Sequence, residues 1–255
     1  MREGLSSVAC VQARLYGFAI SNPANSARLM LAYKGVETKW IELPPGVHPL
    51  ILKALGYRRG TVPALKLDGR KIEDSVELSH VLETLVPEPP LFPVDPERRR
   101  AVEEAERWGE AELQMVPRRI FRWTFAHDNG ARARLARDIG FPLPGLVGWL
   151  NAPIARAMAG RVDADLDHAR AALRDVPATL DHVDRLLADG VIGDPDAPNA
   201  ADFQIAPSIR ALAGVRELLP LLAGRPCDAH ARRLLPRFPE GRVALPDALR
   251  SALPA

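Results

Sequence analysis

Hydrophobic and polar positions along the first third of the chain change period several times. Arg14-Leu15-Tyr16-Gly17-Phe18-Ala19 alternates and carries two aromatics, which predicts a strand. Ser21-Asn22-Pro23-Ala24-Asn25 is turn chemistry, and residues 26–34 read as a helix ended by Gly35. A second strand is expected over 37–43. Pro44-Pro45-Gly46 breaks the pattern, and a short helix follows at 49–55. Beyond Val62-Pro63, residues 64–67 and 71–73 form a hairpin across Asp68-Gly69, and 75–85 return to a helical period. The predicted order is β-α-β-α-β-β-α.

Prolines then dominate from Val86-Pro87-Glu88-Pro89-Pro90 through Pro93 to Pro96, with no hydrophobic period. Helical periods take over after Glu97. Residues 98–116 place Ala105, Trp108 and Met115 on one face, and further helices are expected near 131–138, 145–159, 165–188 and 200–213. No convincing strand pattern occurs in this half. The expected organisation is a flexible leader at 1–12, an α/β domain at 13–86, a linker at 87–96 and an all-α domain at 97–255.

Composition narrows the function classes. No run approaches eighteen apolar residues, so no membrane span is expected, and the first dozen residues lack the apolar stretch of a signal peptide. The balance of 34 basic against 32 acidic residues, net +2, gives no reason to expect a nucleic-acid partner. Cys10 and Cys227 stand far apart and outside any metal-ligand spacing. They fit a reducing cytoplasm better than a disulfide, and neither reads as a nucleophile. Asp163, Asp165 and Asp167 imitate the opening of a calcium loop, but His168 stands where that loop needs glycine and Arg174 where it needs glutamate. No metal site is expected.

Three short segments carry candidate chemistry. A proline entering a strand, as in Val62-Pro63, belongs at a strand start or edge, where neighbouring backbone groups stay open to an extended partner. Asp74-Ser75 follows the turn Leu67-Asp68-Gly69-Arg70 and opens a helix, whose unpaired N–H groups suit a carboxylate. Together they could hold a short peptide ending in a carboxylate. Asp74 has a second reading, as a plain helix cap. Ser21, at the strand-to-helix turn, is either a cap or a hydroxyl donor.

These segments resemble the soluble glutathione S-transferase superfamily over about residues 14–215, with its thioredoxin-like N-terminal domain and helical C-terminal domain. Leu15-Tyr16-Gly17-Phe18-Ala19-Ile20-Ser21 followed by Ala27-Arg28-Leu29 is similar to the active-site segment, with Ser21 where serine-type members carry the catalytic hydroxyl. Val62-Pro63 matches the cis-proline site that pairs with the cysteinyl backbone of glutathione. Asp74-Ser75 matches the pair that holds the γ-glutamyl end, and His48 stands where some members contact the glycyl end. Leu91-Phe92-Pro93 and Asp95-Pro96-Glu97 resemble the start of the family's fourth helix, and Asn199-Ala200-Ala201-Asp202-Phe203 its N-capping box. That box also follows from physics, since Asn199 can accept from the Asp202 amide while the Asp202 carboxylate reaches back. Two departures stand out: Tyr57-Arg58 replaces the usual Asn-Pro, and Asp74 is one methylene shorter than the commoner Glu.

The resemblance implies a cytoplasmic homodimer, with no permanently bound cofactor and no nucleic-acid or membrane partner. It would use glutathione as co-substrate and conjugate its thiolate to a small hydrophobic electrophile. A pocket for the second substrate would involve Phe18, Met115 and Arg119. A non-catalytic ligand carrier of the same fold is the alternative, while a disulfide reductase would need cysteine where Ser21 stands. Arg118, Arg119 and Arg122, after Pro117, read either as an anion site or as a solvated basic face. A free thiol has a pKa near 8.5, and a hydroxyl donor to the thiolate, at roughly 1.5–3 kcal/mol, would lower that by about one to two units.

Overall fold

The computed structural model describes residues 12–44, 46–138 and 140–254. The expected leader, with Cys10, lies outside the described residues except for Gln12. The chain divides into two compact units, one ending at Leu91 and one beginning at Phe92.

The first unit has the expected order: β1 (Gln12–Gly17), α1 (Asn22–Tyr33), β2 (Glu37–Glu42), α2 (His48–Ala54), β3 (Ala64–Leu67), β4 (Arg70–Ile72) and α3 (Ser75–Leu85). Its mixed sheet runs β2-β1-β3-β4, with β1 parallel to β2 and antiparallel to β3. Ala13 and Leu15 alternate into the core while Arg14 is exposed, as a half-buried strand requires. The strand stops two residues earlier than its alternation suggests. Gly17 has no room for a side chain, because a Cβ there would lie 2.7 Å from the Trp40 ring and 2.8 Å from Ala24.

α1 also begins earlier than the turn-rich sequence implies. Pro23 falls in its first turn, where a missing N–H costs nothing. The β3–β4 hairpin closes through Asp68 and Gly69, both at positive φ (45° and 82°), as a two-residue hairpin loop demands. On one sheet face, Leu43, Leu52, Tyr57 and Ala64 form a cluster with Tyr16, Ile41, Ile51 and Val62 against it. α1 and α3 pack together elsewhere in the same unit. The architecture is the α/β order that the pattern predicts, in the thioredoxin-like form that the resemblance implies.

The second unit is helical: α4 (Pro96–Trp108), α5 (Met115–His127), α6 (Asn129–Asp138), α7 (Pro144–Leu150), α8 (Ala152–Gly160), α9 (Leu166–Arg174), α10 (Val176–Ala188), α11 (Ala200–Ala213), α12 (Leu219–Leu222), α13 (Pro226–Leu234) and α14 (Asp247–Arg250). Three of the long helices expected from periodicity are interrupted. A π turn, Gly109–Leu113, separates α4 from α5, and Gly109 lies against Gln204 and Ile205 of α11. Pro153 and Pro177 occupy the first turns of α8 and α10, so each helix restarts there.

α11 is buried along its whole length and forms the axis on which α4 and α13 pack. Its capping box forms as the chemistry dictates. Asn199 Oδ1 accepts from the amides of Ala201 and Asp202, and Asp202 Oδ2 accepts from the Asn199 amide at 2.8 Å. The C-terminal stretch, opaque in sequence, is anchored by Arg210. Its buried guanidinium meets Glu240 at 2.7 Å and donates to the Leu235 carbonyl at 3.1 Å.

Candidate functional site

Strand register gathers the candidate residues of the first unit. Tyr16 pairs with Ala64, so the exit of β1 and the start of β3 share one end of the sheet. Leu65 pairs with Ile72, which brings the segment after β4 to that same end. Ser21, the Val62-Pro63 bond and Asp74-Ser75 therefore converge, although 41 and 12 positions separate them in sequence.

Ser21 occupies the N-cap position of α1 in an extended conformation (φ −82°, ψ 117°), yet its side chain makes no capping hydrogen bond. Its backbone is well held. The amide donates to the Phe18 carbonyl at 2.9 Å, and the carbonyl accepts from the Asn25 amide at 2.9 Å and from Asn25 Nδ2 at 3.0 Å. Asn25 Nδ2 also reaches the Ala19 carbonyl at 2.8 Å, while Glu42 Oε1 accepts from the Ala19 amide at 3.1 Å. The turn is fixed from two sides by groups other than the hydroxyl. A hydroxyl beside a helix N-terminus, with the dipole behind it, suits an anion such as a thiolate.

The Val62-Pro63 bond is cis. The loop before it is organised by Glu73, whose carboxylate accepts from the amides of Arg58, Arg59 and Gly60 at 2.8, 2.9 and 3.3 Å. Tyr57 is buried against Tyr16, their rings 5.8 Å apart. Burial first, then Tyr16 and Glu73, push its phenol up to about 12, so it stays neutral.

Asp74 caps α3: Oδ1 accepts from the amides of Val76 and Glu77 at 3.0 and 3.1 Å. Its second oxygen meets Arg59 at 2.9 Å. The cap reading is therefore met, and one carboxylate oxygen still faces a cation. Ser75 is only 1% exposed, and its hydroxyl has no hydrogen-bond partner among the described residues. His48 is buried at the start of α2, where Nδ1 accepts from the Gly46 amide at 3.3 Å and the ring lies 5.4 Å from Phe18. It is not a surface-loop histidine.

In the helical unit, Met115 opens α5, and Trp108 packs edge-on against His182 at 4.3 Å. The solvated-face reading of the arginines fails. Arg118 donates to Gln114 Oε1 and lies 3.7 Å from Met115 Sδ, and Arg122 sits 3.1 Å from Met158 Sδ. Burial lowers both guanidinium pKa values, that of Arg122 to about 10 with help from Arg118 and Arg161. Arg119 Nε is buried without a hydrogen bond.

Sequence reasoning missed Glu73, Asn25 and Arg59. Glu73 read as the end of a strand and Asn25 as part of a turn. Only their partners in the fold reveal a supporting role: loop amides for Glu73, the carbonyls of Ala19 and Ser21 for Asn25, and the Asp74 carboxylate for Arg59. Asp165 caps α9 and is drawn below the usual carboxylate range by its hydrogen bonds to the His168 amide and ring. Cys227 is buried, and burial with Asp184 pushes its thiol up to about 12, so it is inert. No cluster of metal-ligating side chains occurs among the described residues, and no helix among them is long and apolar enough to cross a membrane.

Residues 15–90 match the family model of the glutathione S-transferase N-terminal domain. No curated protein matches the chain. Among solved structures, a beta-etherase from Sphingobium is 18% identical, covering 94% of this chain and 98% of its own, with a TM-score of 0.62. A glutathione S-transferase from Methylobacterium radiotolerans, in complex with glutathione sulfonate, is 21% identical over 95% of both chains, with a TM-score of 0.56. A maleylacetoacetate isomerase from Anaeromyxobacter dehalogenans, with glutathione in its active site, is 19% identical over 95% of both chains, with a TM-score of 0.54. This chain thus has the fold of these glutathione S-transferase-like structures, and its residues 15–90 match the glutathione S-transferase N-terminal domain.

Proposed function

We propose that the protein is a glutathione-dependent transferase of the serine type. In this reading Val62 and Pro63 align the cysteinyl backbone, Asp74 and Ser75 take the γ-glutamyl end, and His48 stands toward the glycyl end. Ser21 Oγ donates to the thiolate. The thiol proton passes to solvent, sulfur forms a bond to an electrophilic carbon, and the leaving group departs with its electron pair. No protein base is required. The similar structures include an isomerase and an etherase as well as transferases. Generating the thiolate is the step this reading assigns to the N-terminal unit, whatever the electrophile. Phe18 is that unit's candidate contact to the electrophile, and Met115 and Arg119 are those of the helical unit. The reading includes a cytoplasmic homodimer with no permanent cofactor.

The observation that carries the reading is the Ser21 hydroxyl, which the helix behind it does not use. The test is retention on immobilised glutathione combined with conjugation of a generic aromatic electrophile. Retention with turnover supports it. Retention without turnover points to a ligand carrier. Failure of retention overturns the glutathione assignment.

A further inference from the structure

α7 is turned inside out relative to an ordinary core-facing helix. It meets α6 through glycine: a Cβ on Gly148 would lie 2.9 Å from the Ala133 amide nitrogen, and Arg132 Nε donates to the Gly148 carbonyl at 2.7 Å. Its large side chains face outward. Leu146, Trp149 and Leu150, at i, i+3 and i+4, are 51%, 65% and 57% exposed. Leu143 precedes them at 70% and Ile154 follows on α8 at 37%. Soluble proteins scatter exposed apolar side chains singly, and a contiguous stripe of this kind marks an interaction surface.

The charge around the stripe says what kind of surface covers it. Residues 129–161 hold five arginines against the single Asp138; Arg132 is buried against the Gly148 carbonyl and Arg134 meets Asp128 at 3.6 Å, which leaves three others. No carboxylate side chain occurs between Asp138 and Asp163. Arg137, Arg156 and Arg161 are exposed. Were this face to lie on a two-fold axis and meet its own copy, exposed arginines would face one another with only Asp138 to offset them. Leucine and tryptophan on one face of α7, with exposed arginines on the adjoining helices α6 and α8, match the apolar and anionic layers of a phospholipid surface.

We propose that the α7–α8 face docks on anionic phospholipid bilayers, with Leu146, Trp149 and Leu150 entering the headgroup boundary and the arginines meeting lipid phosphates. Since no described helix can cross a membrane, the contact is peripheral. Such docking departs from the sequence expectation of no membrane partner.

The experiment is co-sedimentation of the full chain with vesicles of equal parts phosphatidylcholine and phosphatidylglycerol, and with phosphatidylcholine vesicles, each at low and high salt. Binding to the mixed vesicles, weakened by salt and negligible on phosphatidylcholine alone, supports the proposal. Leu146→Ser/Trp149→Ser/Leu150→Ser should abolish it while leaving the thermal melt unchanged, because these side chains already face solvent. Arg137→Gln and Arg156→Gln should each weaken binding about fivefold. No partition onto the mixed vesicles overturns the proposal, and so does equal partition onto both kinds. Dissociation of a wild-type oligomer by the triple variant, without vesicle binding by the wild type, assigns the face to a second copy and overturns it too. If the variants fail to fold, the wild-type vesicle comparison alone decides.

Discussion

Ser21 and Asn199 both stand at the N-cap of a helix, and they use the position in opposite ways. Asn199 turns its side chain onto the amides of α11 and receives the Asp202 carboxylate in return. Ser21 leaves the first turn of α1 without a side-chain cap, although serine is among the best residues for one. Backbone and Asn25 contacts hold its turn in place instead. A cap that closes on its own helix is structural. A cap residue held rigidly by other groups, with its hydroxyl left over, is equipped to meet a ligand.

The largest effect should come from the closed cap. Asp202 is fully buried, accepts from the amides of Gly193 and Asn199 at 2.8 Å each, and meets His230 Nε2 at 2.9 Å. Asp202→Ala strips partners from several buried groups at once, which costs about 3–5 kcal/mol. Urea unfolding should show that loss as a lower midpoint. An unchanged midpoint would mean the box is ornamental to the fold.

The open cap should behave in the reverse sense. Ser21→Ala removes no helix hydrogen bond, so its melting temperature should stay close to wild type. Turnover should fall by about ten- to a hundredfold, corresponding to a donor–thiolate bond of roughly 1.5–3 kcal/mol. The sign of the pH dependence follows. Without the donor the bound thiol pKa rises by about one to two units, so the pH–rate profile moves to higher pH and the defect shrinks in alkaline buffer. A turnover loss equal at all pH values would remove Ser21 from thiolate stabilisation.

These two caps also explain what the sequence could disclose. α3 and α11 begin and end where their local signals say, because Asp74 and Asn199 bond to amides two or three residues away. α1 starts four residues earlier than expected, since Asn22, Pro23 and Asn25 spell a turn until Asn25 is seen buried beneath Ala19 and Ser21. The break at Gly109 depends on Gln204 and Ile205, some ninety-five positions away. The outward face of α7 depends on Gly148 meeting Ala133, whereas a hydrophobic period marks a face without saying which way it points. Ser21, Val62, Pro63 and Asp74 were legible as motifs. Glu73 was not, because a carboxylate that organises a loop by accepting three amides leaves no spacing signature.

Between the two extremes lies Asp74, which caps α3 with one oxygen and meets Arg59 with the other. Two substitutions separate its roles. Asp74→Ala removes the acceptor for Val76 and Glu77 and should cost about 1 kcal/mol of stability. Asp74→Asn keeps a good cap and loses the charge. The Arg59 side chain is 60% exposed, and such a pair contributes roughly 0–1 kcal/mol, so the melt of Asp74→Asn should barely move. If the carboxylate also serves the γ-glutamyl ammonium, Asp74→Asn should still weaken glutathione binding about fivefold in calorimetric titration, the size expected of a partly exposed charge pair. Unchanged affinity in Asp74→Asn would place Asp74 wholly with Asn199, as a cap and nothing more. Ser21 and the cis Val62-Pro63 bond would then have to define the ligand's position without it.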